Sequence, residues 1–120
     1  MCGRYSLTKP PDAMRQLFAF RGNLPNLPPR YNIAPSQDAP VIRLSKDSKE
    51  RELAQLHWGH VPSWSNDPKI AYSTINARAE TVASKPAFRA AFKARRCLIP
   101  ADGFYEWRRP GLANSPIASP

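Results

Sequence analysis

Cys2 is the residue of this chain with the most distinctive potential chemistry. It stands between Met1 and Gly3, and a small residue in second place normally permits removal of the initiator methionine. Removal would leave a thiol and a free α-amine on adjacent carbons. Both have unperturbed pKa values of roughly 8 to 8.5 and reach their nucleophilic forms near neutral pH. Such a 1,2-aminothiol traps an aldehyde, because the amine forms a Schiff base and the thiol closes on it to give a thiazolidine. The alternative is a small apolar residue packed in the first strand.

A second candidate group lies in the segment Asn-Ala-Arg-Ala-Glu at 76–80. Asn76 and Arg78 are two apart after a predicted strand, so an extended backbone would point both side chains to one side. Asn offers orienting hydrogen bonds, and Arg offers a fork for phosphate. The alternative, which the pattern alone favours, is a helix cap at Asn76 with Arg78 and Glu80 facing solvent.

Glu106 is the third candidate, because it is a lone carboxylate between Tyr105 and Trp107 in an apolar strand. Alternation along the strand places it on the opposite face from both aromatic neighbours. Buried beside an amine, it would act as a general base or hold the proton of the amine. Otherwise it faces water, and the residues themselves do not separate these two possibilities.

The histidines and the loop aromatics give weaker signals. His57 and His60 are three apart, a spacing that suits a metal pair on a helix, but this stretch is predicted as strand and turn and no third ligand is evident. We interpret both as structural or surface residues. Pro35, Trp58 and Trp64 are rigid apolar groups in predicted loops, and loop aromatics on a basic protein can stack on unpaired bases. Packing is the expected role of Trp58, whereas both roles stay open for Trp64.

The composition indicates one basic globular domain. The chain has 120 residues, of which 42% are hydrophobic and 22% charged, enough for a single compact domain. Eighteen basic and nine acidic residues give a net charge of +9, and each half of the chain carries nine of the basic residues. A folded basic domain fits two interpretations equally well. One is a polyanionic partner, most simply nucleic acid, and the other is a solvated surface without a dedicated ligand.

Cysteine usage and hydropathy indicate a protein of the reducing cytoplasm. Two cysteines do not form a disulfide framework, and no metal-ligand spacing such as C-x-x-C is present. No apolar run is long enough to span a membrane, and the N-terminus lacks the apolar core of a signal peptide. We therefore expect no metal, no other cofactor and no membrane partner.

Many short elements are predicted to position these residues. Fourteen prolines argue against long helices and for short elements joined by rigid turns. The apolar spacing predicts helices over 11–20 and from Pro86. Strands are predicted at 2–7, 40–44, 53–58, 70–75, 97–99 and 104–107. The strands at 40–44 and 53–58 form a hairpin, residues 23–40 are an extended connection, and residues 76–80 lie at a strand-to-helix junction.

Five motifs follow one another over the first 107 residues. They are Met-Cys-Gly-Arg-Tyr at 1–5, Arg-Tyr-Asn-Ile-Ala-Pro-Ser-Gln at 30–37, Trp-Gly-His-Val-Pro-Ser-Trp at 58–64, Ile-Asn-Ala-Arg-Ala-Glu-Thr at 75–81 and Arg-Arg-Cys-Leu-Ile-Pro-Ala-Asp-Gly-Phe-Tyr-Glu-Trp at 95–107. Together they resemble the SRAP (SOS response-associated peptidase) family. The resemblance implies an α+β fold with a mixed, barrel-like β core and short flanking helices.

The resemblance also implies a function, that of an abasic-site sensor. Members of this family bind single-stranded DNA, and their mature N-terminal cysteine crosslinks covalently to the ring-opened sugar aldehyde of an abasic site. The thiazolidine product shields the lesion. The family is also linked to a thiol-dependent autopeptidase activity that removes the residues before the cysteine. The implied partner is thus single-stranded DNA with abasic sites, and the implied location is the cytoplasm, at the nucleoid when the protein is bound.

The resemblance assigns roles to the residues that fall on its motifs. Cys2 would be the nucleophile. Asn76 would orient the Cys2 α-amine or the opened sugar, and Glu106 would assist Schiff-base formation by proton transfer. Two arginines would bind phosphates beside the lesion, and two loop residues would shape the DNA path. These four expected DNA-contacting residues are Arg4, Arg78, Pro35 and Trp64.

The chain departs from the family pattern in two ways. His60 stands where the family usually has an aliphatic residue, which we expect to be minor. Family domains are about twice this long by ordinary domain-size reckoning, and their second half supplies further core strands and a catalytic histidine. Here the motifs end near Arg108. We expect residues 1–109 to be the N-terminal part of an SRAP-like domain and residues 110–120 to be an irregular tail, with exposed edge strands and an unfilled apolar face.

Two other functions compete with abasic-site capture. The chief alternative is a truncated, non-catalytic basic fragment that binds DNA. A cysteine peptidase acting on other proteins ranks low, because neither His57 nor His60 lies in the motif that carries the catalytic histidine. Oligomeric state and DNA sequence preference stay open.

Overall fold

The computed structural model describes residues 2–107 and 116–119, which form seven strands and three short helices. The strands are β1 (Tyr5–Leu7), β2 (Arg30–Ile33), β3 (Asp38–Leu44), β4 (Arg51–His57), β5 (Cys97–Leu98), β6 (Gly103–Trp107) and β7 (Pro116–Ser119). The helices are α1 (Pro11–Phe18), a 3₁₀ helix (Pro68–Ser73) and α2 (Arg89–Ala94). None of these described helices is long and apolar enough to cross a membrane.

The strands form two sheets. One has four strands in the order β2-β1-β6-β7, and the other has three in the order β4-β3-β5. All paired strands are antiparallel, and an isolated parallel bridge joins Arg21 to Glu52. The predicted α+β class, a β core with short helices, is confirmed. In the first sheet, Tyr5 pairs with Phe104 and Ser6 with Gly103, so the strand nearest the N-terminus lies beside the strand that ends the motif region.

The predicted hairpin is present, and local chemistry explains it. β3 and β4 pair along their whole length, from Asp38 opposite His57 to Leu44 opposite Arg51. The turn between them closes with the Ser45 amide donating to the Glu50 carbonyl at 2.8 Å. Turn residues with short polar side chains make such a bend favourable. The hairpin therefore supplies a stable base for the second sheet.

Helix α1 also agrees with its prediction. Pro11 occupies the first turn, where a proline costs no hydrogen bond. Met14 is fully buried, and the helix ends where Ala19 adopts a left-handed conformation with φ 54°. The helix thus covers one side of the core through a single deeply buried side chain.

The hydrophobic core lies around β1, β2, β3 and α1. Its buried members are Tyr5, Leu7, Met14, Phe20, Ile33, Ala39 and Ile42. Half-buried apolar residues pack around this cluster, among them Cys2, Trp58 and Phe104. The N-terminal segment is therefore anchored to the core.

The structure corrects the prediction of a strand at 70–75. Residues Pro68–Ser73 form a 3₁₀ helix instead. The Asp67 side chain caps it by accepting a hydrogen bond from the Lys69 amide at 2.9 Å, and Pro68 follows as the first helical residue. Capping aspartate and proline at the first position are start signals of a helix, and they outweigh the apolar run that favoured a strand.

Three further differences concern boundaries. Arg30–Ile33, predicted as part of an extended connection, is strand β2 and pairs with β1. The second helix begins at Arg89 rather than at Pro86, after a series of turns. The predicted boundary between residues 109 and 110 lies outside the described residues. Within the predicted irregular tail, Pro116–Ser119 pairs with β6 along its edge.

Candidate active site

Cys2 lies three residues before β1 and combines packing with access. It is half-buried and contacts the core cluster, which fits the interpretation of a packed N-terminal residue. Its thiol is free, and the sulfur lies 3.7 Å from the Arg4 carbonyl oxygen. The chain thus holds a cysteine at the edge of the core without enclosing it.

Asn76 lies directly against Cys2. Its side-chain amide donates a hydrogen bond of 2.7 Å to the Cys2 backbone carbonyl, between residues 74 positions apart. Both residues are half-buried, so water competes less with this bond than at an open surface. The structure therefore brings together the first two candidates of the sequence analysis. The local pattern predicted that Asn76 caps a helix, but its side chain donates to the Cys2 carbonyl instead.

Glu106 lies on the strand next to the Cys2 segment. The Tyr105 amide donates to the Arg4 carbonyl at 3.0 Å, and paired strands are about 4.8 Å apart. Glu106, one position further along β6, therefore lies beside the residues that lead back to Cys2. Glu106 is exposed. Of the two possibilities that the sequence left open for it, the structure has the carboxylate facing water and not the buried one.

The two predicted phosphate-binding arginines lie at the surface near this site. Arg4 is exposed, two positions from Cys2, and its guanidinium contacts the Asn32 side-chain oxygen at 3.3 Å. Arg78 is exposed two positions after Asn76. Asn32 orients Arg4 across 28 positions of sequence. Nothing in the local pattern predicted that contact, although Asn32 lies inside the motif at 30–37.

The two predicted loop residues have different environments. Pro35 is half-buried next to the turn that leads into β3. Trp64 is 61% exposed, and its indole N–H lies 3.3 Å from the Pro86 carbonyl oxygen. Trp64 is thus exposed over most of its surface while its indole N–H is held by the 84–88 turn region.

Both histidines make structural contacts, as interpreted from the sequence. The His60 ring lies 2.9 Å from the Ala87 carbonyl oxygen and stacks on Phe88 with ring centroids 5.8 Å apart. His57 lies 3.6 Å from the Asp38 carboxylate at the end of the hairpin. In the part of the chain that the structure describes, no three His, Cys, Asp or Glu side chains are grouped so as to hold a metal ion.

Burial shifts the titration of two groups near the site. It raises the pKa of the Tyr5 hydroxyl, against an opposing effect of the Arg30 guanidinium and with small contributions from the two thiols. Cys97 is an exposed residue, but partial burial of its thiol raises its pKa, and the Arg43 charge partly opposes the rise. Tyr5 therefore stays protonated and uncharged at neutral pH.

A basic surface adjoins these elements. The segment around α2 carries five exposed cationic side chains, Lys85, Arg89, Lys93, Arg95 and Arg96. No described acidic side chain forms an ion pair with any of the five. Unpaired positive charge at a surface attracts polyanions at long range.

The sequence of the chain matches the model of a protein family. Residues 1–118 match the family model of the SOS response associated peptidases, SRAP. The chain belongs to the SRAP family. The match runs past Arg108, where the recognised motifs end.

Curated relatives extend the similarity to bacteria and vertebrates. The chain is 44% identical over 111 residues to the abasic site processing protein YoqW of Bacillus subtilis, which covers 91% of this chain and 49% of the relative. It is 37% identical over 139 residues to the abasic site processing protein HMCES of Xenopus tropicalis, which covers 97% of this chain and 42% of the relative. The chain thus spans about half the length of the curated relatives it matches.

Solved structures share the same fold. A protein from Bacteroides thetaiotaomicron superposes with a TM-score of 0.79 at 25% identity, covering 98% of this chain and 53% of that one. A protein from Bordetella bronchiseptica superposes with a TM-score of 0.76 at 31% identity, covering 98% and 56%. Here too the chain corresponds to about half of each solved protein.

Proposed function

We propose that this chain processes abasic sites in single-stranded DNA by capturing them covalently at Cys2. The similarity to proteins named for abasic site processing supports the substrate class. The observation that carries the proposal is the hydrogen bond from Asn76 to the Cys2 carbonyl. It joins two distant motifs at the one residue that would bear both an amine and a thiol.

The chemistry begins with the release of the Cys2 α-amine. Removal of Met1 frees it, and we include in the proposal a thiol-dependent hydrolysis of the Met1–Cys2 peptide bond. The amine attacks the aldehyde carbon of the ring-opened sugar, and loss of water gives a Schiff base. The Cys2 sulfur then adds to the imine carbon, while the nitrogen takes up a proton. The product is a thiazolidine, with one water released and no change of oxidation state.

The neighbouring residues have distinct roles in this sequence of steps. Asn76 holds the Cys2 carbonyl and so fixes the direction in which the amine of the same residue points. The Glu106 carboxylate, exposed on the adjacent strand, relays the protons that leave the amine and reach the departing water. A carboxylate acts in this way by general acid–base catalysis.

The surroundings of the site suit a single strand of DNA. Arg4 and Arg78 are exposed within two positions of Cys2 and Asn76 respectively, where they can pair with the phosphates that flank the lesion. The exposed Trp64 ring offers a stacking surface for an unpaired base. Pro35, half-buried two positions after Ile33 of β2, would shape the path of the DNA, as the resemblance implies. A net charge of +9 favours encounter with the polyanion.

A second candidate function is DNA binding without capture. It is favoured by exposed apolar side chains around the short edge strand β5, where Leu98 is 47% and Ile99 60% exposed. Exposed apolar side chains of this kind fit a surface that contacts another group. A protein that binds DNA in this way would use its basic surface and lack the covalent step.

The deciding experiment is an adduct assay on a single-stranded oligonucleotide with one abasic site. Mass spectrometry first establishes whether Cys2 is the mature N-terminus. We expect a band that survives denaturation and is lost in Cys2→Ala. Cys97→Ala is the matched control and should retain the band. Where mass spectrometry shows that Met1 has been removed from Cys2→Ser, this variant has the free amine without the thiol, so it should give an adduct only when borohydride traps the Schiff base. The Bacillus subtilis relative YoqW, of which this chain covers 49%, is assayed under the same conditions for comparison with a longer protein.

The outcomes separate the two candidates. A stable, Cys2-dependent adduct supports capture. Reversible binding without any adduct, while YoqW crosslinks under the same conditions, supports the non-catalytic alternative. An adduct that persists in Cys2→Ala contradicts the proposed nucleophile.

A further inference from the structure

Trp58 connects β1, the strand that follows Cys2, with the segment that carries Asn76. It follows β4 directly and is half-buried against the core. Its indole N–H donates a hydrogen bond of 2.8 Å to the carbonyl of Ile75, the residue before Asn76. Its ring packs on Tyr5 of β1, with centroids 5.5 Å apart and planes inclined by 53°. The Trp58 side chain therefore contacts both β1 and the segment that carries Asn76.

The backbone of Trp58 is itself fixed. Its amide donates to the Gln37 carbonyl at 3.0 Å, and its carbonyl accepts from the Ser36 amide at 3.0 Å. These bonds tie it to the start of the β3–β4 hairpin. A hydrogen bond from such a fixed indole can define the position of its acceptor, because the donor has little freedom to follow it.

The residues after Trp58 hold the same neighbouring segment. Gly59 approaches the 3₁₀ helix so closely that a Cβ at this position would lie 3.0 Å from the Ala71 Cβ and from the Ala71 carbonyl oxygen. The Thr74 hydroxyl donates to the His60 carbonyl. Residues 58–60 thus hold residues 71–75 in place up to the position just before Asn76.

We propose that Trp58 is a positioning residue for the chemistry at Cys2: its indole N–H fixes the Ile75 carbonyl, and this sets the Asn76 side-chain amide against the Cys2 carbonyl. The segment between the 3₁₀ helix and residue 79 has no regular secondary structure of its own, so external contacts must define it. Trp58 does not reach the reacting atoms. The inference rests on the proposed function, since the chemistry it supports is capture at Cys2.

A double-mutant cycle tests whether Trp58 acts through Asn76. Trp58→Phe removes the N–H and keeps an aromatic ring against Tyr5. At saturating oligonucleotide we expect it to slow adduct formation roughly three- to tenfold, the range of one lost hydrogen bond, with little change in DNA affinity. In an Asn76→Ala background the same substitution should have almost no effect. An equal slowing in both backgrounds would overturn the proposal.

A stability control separates positioning from general loosening of the fold. Ile42→Val shortens a core side chain that is 2% exposed and lies on β3, where it pairs with Leu53 and Leu98 rather than with the segment that carries Asn76. It should lower the thermal unfolding midpoint while leaving the rate of adduct formation unchanged. If Ile42→Val slows the reaction as much as Trp58→Phe does, the effect of Trp58 is structural only.

A spectroscopic arm distinguishes failure of this inference from failure of the proposed function. In ¹⁵N-labelled protein, the side-chain amide resonances of Asn76 are assigned by their loss in Asn76→Ala. We expect them to shift in Trp58→Phe and to stay in place in Ile42→Val. Unshifted Asn76 resonances overturn the inference even where capture proceeds. If the wild type forms no adduct, the proposed function fails and the role of Trp58 in capture fails with it, whatever the resonances show.

Discussion

The Asp102 carboxylate accepts two hydrogen bonds from Thr8, one from its backbone amide and one from its hydroxyl, each 2.5 Å long. The two residues are 94 positions apart. Thr8 directly follows β1, and Asp102 directly precedes β6. The contact therefore sets the register of the two strands that carry the Cys2 segment and Glu106.

Loss of this contact should destabilise the whole domain. Asp102→Ala leaves the Thr8 amide without its charged acceptor, and we expect the free energy of unfolding to fall by roughly 1.5–3 kcal/mol. Urea unfolding at neutral pH measures the change. Asp47→Ala, in the exposed β3–β4 turn, is the matched control and should alter the value by less than about 0.5 kcal/mol. Equal losses in the two variants would show that the contact contributes nothing.

Gly59 should tolerate a methyl group less well than Gly22 does. Both adopt a positive φ, 134° and 102°, but only at Gly59 would a Cβ meet another residue, Ala71. The two alanine variants therefore share the backbone strain, and the difference between their stabilities measures the close contact with Ala71. We expect Gly59→Ala to be less stable than Gly22→Ala by about 1–3 kcal/mol. Thermal unfolding of the pair checks this, and equal midpoints would contradict it.

The Cys97 thiol, although exposed, should alkylate more slowly near neutral pH than an ordinary exposed cysteine does. Burial raises its pKa, so less thiolate is present at a given pH than for an ordinary cysteine. The rate should increase as the pH rises towards and through the raised pKa. Because the Arg43 charge lowers that pKa, Arg43→Ala should move the profile further towards alkaline pH. Iodoacetamide kinetics in a Cys2→Ala background measure both profiles, and a shift towards acid in Arg43→Ala would refute the account.

Arg78 should contribute a phosphate contact that is sensitive to salt. Arg78→Ala is expected to reduce the slope of log K against log salt concentration by about 0.7 for single-stranded DNA, the value for one lost contact. Fluorescence anisotropy with a labelled oligonucleotide measures it. Lys46→Ala removes the same charge from the hairpin turn and should leave the slope unchanged. If both variants reduce the slope equally, the salt dependence reflects the net charge of the protein and not a specific contact of Arg78.

Local patterns predicted the elements whose signals are local. Alternation and turn residues located the β3–β4 hairpin, and proline with helical spacing located α1. The 3₁₀ helix was missed because Ile70, Ala71 and Tyr72 form an apolar run, whereas its decisive signal is the capping pair Asp67-Pro68. Strand β2 was missed because its pairing partner lies far along the chain.

The site could be predicted only in part. The resemblance to the SRAP family indicated that Cys2 and Asn76 belong to one site, and the structure places them in contact. Their local pattern alone favoured a helix cap at Asn76. The contacts that support the site, Thr8 with Asp102 and Trp58 with Ile75, span 94 and 17 positions. No rule of spacing predicts such pairs, because the fold rather than the neighbouring sequence brings them together.

The hydrogen bond from Asn76 ends on the carbonyl of Cys2, the one polar group of that residue that would take no part in the proposed trapping of an aldehyde. The amine and the sulfur can both change their bonding while this contact stays as it is. Free protein, imine and closed ring can therefore share this anchor point in the proposed reaction, even though the contact of the Cys2 thiol with the Arg4 carbonyl is lost when the sulfur forms its new bond. An anchor of this kind would favour a crosslink that, once formed, is held as firmly as the residue was before it reacted.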